Sequence, residues 1–155
     1  MTEKLFYAIR SEDIDLVRDI LRQNPEWLNT KDQRGSTPLL LATYYGYEEL
    51  TDFILSLNPD LNAKDGSGNT ALMGVCFKGN EAMARKLIQA GANVNETNMT
   101  GGTALHFAVM FNHTRLVDLL LKNGADKNIE DNRGMNALQQ AEMQGSTVVI
   151  ELLRG

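Results

Sequence analysis

What this chain has little of narrows its class first. It has one cysteine, Cys76, so no internal disulfide can form, and a reducing, cytoplasmic setting is expected. No stretch approaches the roughly 18 consecutive apolar residues a membrane span requires. Glu3, Lys4, Arg10, Glu12 and Asp13 break up the apolar h-region a secretory signal would show. No membrane partner is therefore expected. Basic residues are outnumbered, 15 Lys and Arg against 20 Asp and Glu, for a net charge of −5. Nucleic-acid binding needs a basic face that displaces counterions from phosphate. The cations here are few and spread along the chain, so no nucleic-acid partner is expected. Prolines number three, and 43% of residues are hydrophobic and 23% charged, the composition of a soluble globular protein. The 155 residues make one ordinary domain, able to bury roughly 70% of the surface its unfolded chain exposes.

What the chain does have is an internal repeat. Gly35, Gly68, Gly101 and Gly134 are each 33 residues apart, as are Leu39, Leu72, Leu105 and Leu138, and Asn29, Asn62, Asn95 and Asn128. Thr37, Thr70, Thr103 and Asn136 share another column, all of them N-cap types whose side-chain oxygen accepts an orphan N–H. Pro38, Ala71, Ala104 and Ala137 follow, and proline suits the first helical position. A short helix therefore starts at each site, burying the leucine column and then Ala42, Val75, Ala108 and Ala141. It stops at Gly46, Gly79, Asn112 and Gly145, types that tolerate a left-handed backbone.

A second helix follows each stop. Its apolar stripe is Leu50, Ile54 and Leu55, then Met83, Leu87 and Ile88, then Leu116, Leu120 and Leu121, with charged residues opposite. It ends at Asn58, Gly91 and Gly124. The polar connectors that begin at Asn62, Asn95 and Asn128 predict extended, hairpin-like fingers. No single unit can bury its own stripe, so the units must stack.

The 33-residue period, the fingers, Gly-Ser-Thr-Pro-Leu at 35–39 with Ala42 and Gly46, Gly-Gly-Thr-Ala-Leu-His-Phe-Ala at 101–108 and Gly-Ala-Asn-Val-Asn at 91–95 together resemble ankyrin repeats. The resemblance covers nearly the whole chain. It implies an all-α solenoid of about five helix-turn-helix repeats with β-hairpin-like fingers. Residues 1–155 form one domain on this reading. An N-terminal cap occupies 1–34, internal repeats occupy 35–67, 68–100 and 101–133, and a C-terminal cap occupies 134–155. The terminal units depart from the pattern: residues 3–24 lack the Thr-Pro-Leu start, and Gln139, Gln140, Glu142 and Gln144 make the last first helix polar, as terminal repeats require. Gly74 stands inside a helix where the other repeats carry larger residues.

The resemblance also implies that a partner meets the concave surface of the first helices and the finger tips. Just before the interhelix stop lie Tyr44 and Tyr45, Phe77 and Lys78, Met110 and Phe111, and Met143 and Gln144. Four of those eight are aromatic and two are methionine, a composition that points to a protein partner. Helices ~8–10 Å apart would align them in a row. Aromatics at helical spacing also serve as core, but leucine and alanine already fill the core columns, so exposure is expected. Arg34, Met99 and Arg133 join the set at the finger tips.

Chemistry-bearing residues are sparse. His106 stands where ankyrin repeats commonly carry a structural histidine, His113 opens a second helix, and Cys76 is expected to be a packed thiol. No nucleophile–base pair, cysteine–histidine metal spacing or phosphate loop stands out, and Gly66-Ser67-Gly68-Asn69-Thr70 is a finger tip in register. No catalytic residue, metal or cofactor is expected. The sequence points to a monomeric protein-binding module, whether adaptor, scaffold or inhibitor. An immunity-type inhibitor of one enzyme or toxin is the variant of that role, and an enzyme or a passive spacer are the other classes.

Overall fold

A computed structural model describes residues 1–155. It has ten α-helices and no strand: α1 (Glu3–Arg10), α2 (Ile14–Gln23), α3 (Pro38–Tyr45), α4 (Glu48–Ser56), α5 (Ala71–Lys78), α6 (Glu81–Ala90), α7 (Ala104–Met110), α8 (Thr114–Lys122), α9 (Ala137–Gln144) and α10 (Thr147–Arg154). A short 3-10 turn, Pro25–Trp27, lies in the loop after α2. Helices pair in chain order, α1 with α2 through α9 with α10. The first helix of each pair packs on the first helix of the next, so α1, α3, α5, α7 and α9 form an inner row. Helices α6, α8 and α10 stack beside it.

The helix boundaries follow from local chemistry. Thr37, Thr70, Thr103 and Asn136 are extended, and their side-chain oxygens accept the N–H of Leu40, Met73, His106 and Gln139 at 3.2, 3.3, 3.3 and 2.9 Å. The stops at Gly46, Gly79 and Gly145 have φ of 75°, 78° and 73°, and Asn112 reaches 57°. Glu12 takes the same place after α1 at 56°, which nothing in its residue type announces. The core is one continuous cluster of 35 buried residues, so the stack has a single interior. Ala8, Ala42, Val75, Ala108 and Ala141 are all 0% exposed where inner helices meet.

Two residues depart from their expected places. Leu138 belongs to the leucine column but is only partly buried, because no further helix pair covers α9. Gln140, expected on a polar outer face, is buried. Its amide oxygen accepts from Arg133 at 2.8 Å and its NH2 donates to Gln144 at 2.9 Å, which satisfies it there.

The fingers fold back on themselves without forming strands. Each turns on one side chain: Asp32, Asp65, Asn98 and Asp131 accept, through Oδ1, the backbone N–H groups two and four residues on. Adjacent fingers are joined by Gly66 N–H to Arg34 C=O, Met99 N–H to Ser67 C=O and Asn132 N–H to Thr100 C=O, at 3.0, 3.1 and 2.9 Å. A Cβ on Gly35 or Gly68 would lie 2.8 or 2.9 Å from the backbone nitrogen of the next finger. This close approach, along with the positive φ, explains the first glycine column.

The asparagine column braces one repeat to the next. Oδ1 of Asn29, Asn62 and Asn95 accepts from the backbone N–H of Asp60, Asn93 and Asp126 at 2.9, 2.8 and 2.8 Å. The Asn95 NH2 also donates to Gly124 C=O at 3.1 Å. The fourth member, Asn128, makes no side-chain hydrogen bond. We therefore expect Asn95→Ala to lower stability by about 1–2 kcal/mol through its lost hydrogen bonds. Asn128→Ala should leave the urea-unfolding midpoint within error of wild type; equal losses for the two variants would show that the column does not act as a brace.

A candidate partner-binding face

The inner helices and finger tips together make a grooved face with two hollows. The larger, about 930 Å³, lies between the first two fingers and α3 and α5. It gathers Arg34, Tyr44, Tyr45 and Phe77 of the expected set, and adds Arg10, Leu41, Gly74 and Phe107. The smaller, about 360 Å³, lies between the last two fingers and α7 and includes Met110 and Arg133. Met99, Met143, Phe111 and Lys78 line neither hollow.

The expected aromatics are half-exposed. Tyr44, Tyr45, Phe77, Met110 and Phe111 are between 39% and 47% exposed, while Met143 and Met99 stand out further at 64% and 70%. Lys78, Arg34 and Arg133 are exposed. The rings fall into two groups. Tyr45 lies 5.9 Å from Tyr44 and 5.5 Å from Tyr47. Phe77 meets Phe111 at 5.0 Å and Phe107 at 6.3 Å, both edge to face. Lys78 of α5 places its Nζ 4.7 Å above the Tyr44 ring of α3.

The charges on this face are unevenly engaged. Arg10 binds Asp32 at 2.6 Å, and the Asp32 side chain is 7% exposed. Arg133 binds Asp131 at 2.8 Å. Burial pushes the Asp131 carboxyl upward, but the Arg133 hydrogen bond and the N–H groups of Met135 and Arg133 outweigh it and hold it below the usual range. Asp65 spends its Oδ1 on its own turn. Arg34 and Lys78 have no anionic partner. Arg10 and Phe107 were not singled out from sequence; they belong to columns that look like ordinary helix surface.

The residues with chemical potential are otherwise occupied. His106 is buried, with Nδ1 accepting from Thr103 N–H at 3.1 Å and Nε2 lying 2.9 Å from Met135 C=O. This places the ring proton on Nε2. His113 precedes α8, packs over Gly79 and stacks on Phe111 at 6.3 Å. Cys76 is 0% exposed, and burial pushes its thiol up to about 12. No group of three or more His, Cys, Asp or Glu is placed to hold a metal ion, and no helix is long and apolar enough to cross a membrane.

A family model described as ankyrin repeats in three copies matches residues 5–98 and again residues 94–155. No curated protein matches the sequence.

The geometry at Gly74 and Cys76 yields two expectations. A Cβ on Gly74 would meet only Tyr44 Cδ1, at the ordinary distance of 3.5 Å, and its φ is not positive. Gly74→Ala should therefore raise stability by about 1 kcal/mol, the helical cost of glycine; a loss in thermal melting would show that the space is structurally required. Cys76 should resist a thiol reagent at pH 8 until denaturant is added. Its ionisation in the unfolded chain begins near pH ~8.5 but in the fold only near 12. Protons thus leave the unfolded state first, and stability falls as pH rises through that window. Cys76→Ala should show a shallower decline in its unfolding midpoint.

Proposed function

The chain belongs to the ankyrin repeat family, and from that premise we propose that it is a protein-binding module whose partner lies along the groove between the fingers and the inner helices. Ankyrin repeats are generally protein–protein interaction modules. The observation that carries the proposal is the apolar strip of Tyr44, Tyr45, Phe77, Met110 and Phe111, each about two-fifths exposed or more. Removing such area from water is favourable by about 25 cal/mol per Å², and patches that combine Tyr, Phe and Met favour protein contact. The rings lean on one another, which fixes them before a partner arrives and lowers the ordering cost of binding.

On this reading residues 1–155 act as a single domain. The units at 1–34 and 134–155 close a stack whose repeats at 35–67, 68–100 and 101–133 carry the strip. The protein is monomeric and cytoplasmic, takes no cofactor, and binds neither nucleic acid nor membrane. The binding reading is preferred to an enzymatic one because both ring nitrogens of His106 are engaged and Cys76 is sealed in the core. Adaptor, scaffold and inhibitor roles share this surface and differ in what happens to the bound partner's own activity.

The test is affinity capture from native extract with wild type and with Tyr45→Ala/Phe111→Ala as baits, after circular dichroism has matched their helicity. Losing two half-exposed aromatic anchors should weaken binding by about tenfold or more. A protein kept by wild type and lost by the folded double variant is expected, and its activity with and without the module then separates inhibitor from scaffold. Equal capture by both baits would remove the strip from the binding site.

A further inference from the structure

We propose that the notch over Gly74 seats a large apolar side chain from an acidic, extended segment of the partner protein. This rests on the reading of the groove as a protein-binding face and names the chemistry that face selects.

The notch is a departure from the repeat. At 33-residue spacing its column reads Leu41, Gly74, Phe107 and Gln140. Glycine inside a helix is unfavourable by roughly the stability gain expected for Gly74→Ala, and nothing in the fold asks for it. Its φ is not positive, and an added Cβ would touch only the edge of Tyr44 at 3.5 Å. What glycine does provide is room. Leu41, Gly74 and Phe107 line the same hollow, with Tyr44 and Phe77 on its sides, so the missing side chain leaves an apolar seat between two filled neighbours. The volume of about 930 Å³ is open enough for a peptide segment to lie in it rather than for one side chain alone.

The rim sets the sign of the segment. Arg34 at the first finger and Lys78 at the end of α5 carry charges with no anionic partner. Asp32 is paired with Arg10 and Asp65 commits one oxygen to its turn, so the three cations Arg10, Arg34 and Lys78 outnumber the two carboxylates by one. The hydroxyls of Tyr44 and Tyr45 make no hydrogen bond and are free to donate. Cations and O–H donors around an apolar seat match carboxylates flanking an apolar anchor. The match is local, since the chain as a whole carries −5.

A single-stranded nucleic acid fits less well. It needs open ring faces for base stacking and a cation for most phosphates. Here Phe77 turns edge to face against both Phe107 and Phe111, Lys78 covers the Tyr44 face, and the free cations number two.

The experiment selects 12-residue peptides from a phage-displayed library on the whole chain. The winners are then measured as fluorescent synthetic peptides by anisotropy, beside labelled oligo(dT), against wild type, Gly74→Leu and Lys78→Glu. Gly74→Leu restores the residue type that Leu41 already supplies one repeat earlier, and its melting curve is checked first; Lys78→Glu changes an exposed site and carries the test if Gly74→Leu unfolds. Selected peptides should carry Phe, Trp or Leu flanked by Asp or Glu. Each variant should weaken them by about tenfold or more, and wild-type affinity should fall as salt rises. Failure to select any peptide, winners without acidic flanks, affinity unchanged in the folded variants, or oligo(dT) binding that Lys78→Glu abolishes would each overturn the inference. Peptides indifferent to both variants but lost by Tyr45→Ala/Phe111→Ala would overturn it and leave the wider protein-binding reading intact.

Discussion

Everything in this fold depends on how closely adjacent inner helices approach. Ala8, Ala42, Val75, Ala108 and Ala141 sit in those contacts with no exposed surface, and none is larger than valine. That spacing brings the finger of one repeat within hydrogen-bond reach of the next, so Gly66 N–H meets Arg34 C=O and Met99 N–H meets Ser67 C=O. Once fingers are that close, a Cβ at Gly35 or Gly68 collides with backbone. At those two positions the close approach set by the alanine column adds to the positive φ that all four glycines of the column share. The asparagine braces need the same distance, because a side-chain amide reaches only one loop away. A larger residue in the alanine column would disturb the fingers before it disturbed its own helix.

Features decided within a few residues were legible in the sequence. The N-caps at Thr37, Thr70, Thr103 and Asn136 and the left-handed stops at Gly46, Gly79, Asn112 and Gly145 follow from the chemistry of one side chain or its absence. Features decided between repeats were legible only in part. The regularity of Asn29, Asn62, Asn95 and Asn128 marked a column, yet the partners of the first three lie 31 residues away and had to be seen. The column of Asp32, Asp65, Asn98 and Asp131 is as regular, but its bonds close turns inside a loop, so it read as mere turn composition. Gln140 looked like solvent-facing polarity because its partners, Arg133 and Gln144, come together only in the fold. Leu138 looked like core because its column is core wherever another helix pair follows.

Exposure of the aromatic strip was the hardest feature to read, and the reason is physical. Helix α3 is buried over Pro38–Thr43, so no polar side marks where solvent begins. Period alone cannot place Tyr44 and Tyr45 when both flanks of their helix are apolar. Charge was misleading in another way. The total of −5 describes the molecule, whereas the carboxylates of the groove face are folded into their own turns. On the second helices the acids instead pair across exposed surface, as in Glu81 with Arg85 and Asp118 with Lys122. Such pairs add little stability; on the groove face Arg34 and Lys78 make no ion pair, and Asp65 is the one carboxylate of the hollows that no cation engages.

The four repeats also serve as one another's comparison. Columns that fix the stack, such as Leu39 with its equivalents and Ala42 with its equivalents, hold one residue type or a close substitute. The columns facing the groove do not: Leu41, Gly74, Phe107 and Gln140 span no side chain, aliphatic, aromatic and polar, and Tyr45, Lys78, Phe111 and Gln144 span ring, cation and amide. A stack whose units interact with nearest neighbours tolerates this, because a local loss at one repeat is shared with the interfaces beside it. The helix glycine at 74 is the extreme case. It lowers the stability of its own repeat and leaves a hollow that water alone does not require. On the proposed reading, a chain that keeps its structural columns this uniform while varying its groove columns this widely has its fold and its recognition written in different residues, so a change of partner need not disturb the stack.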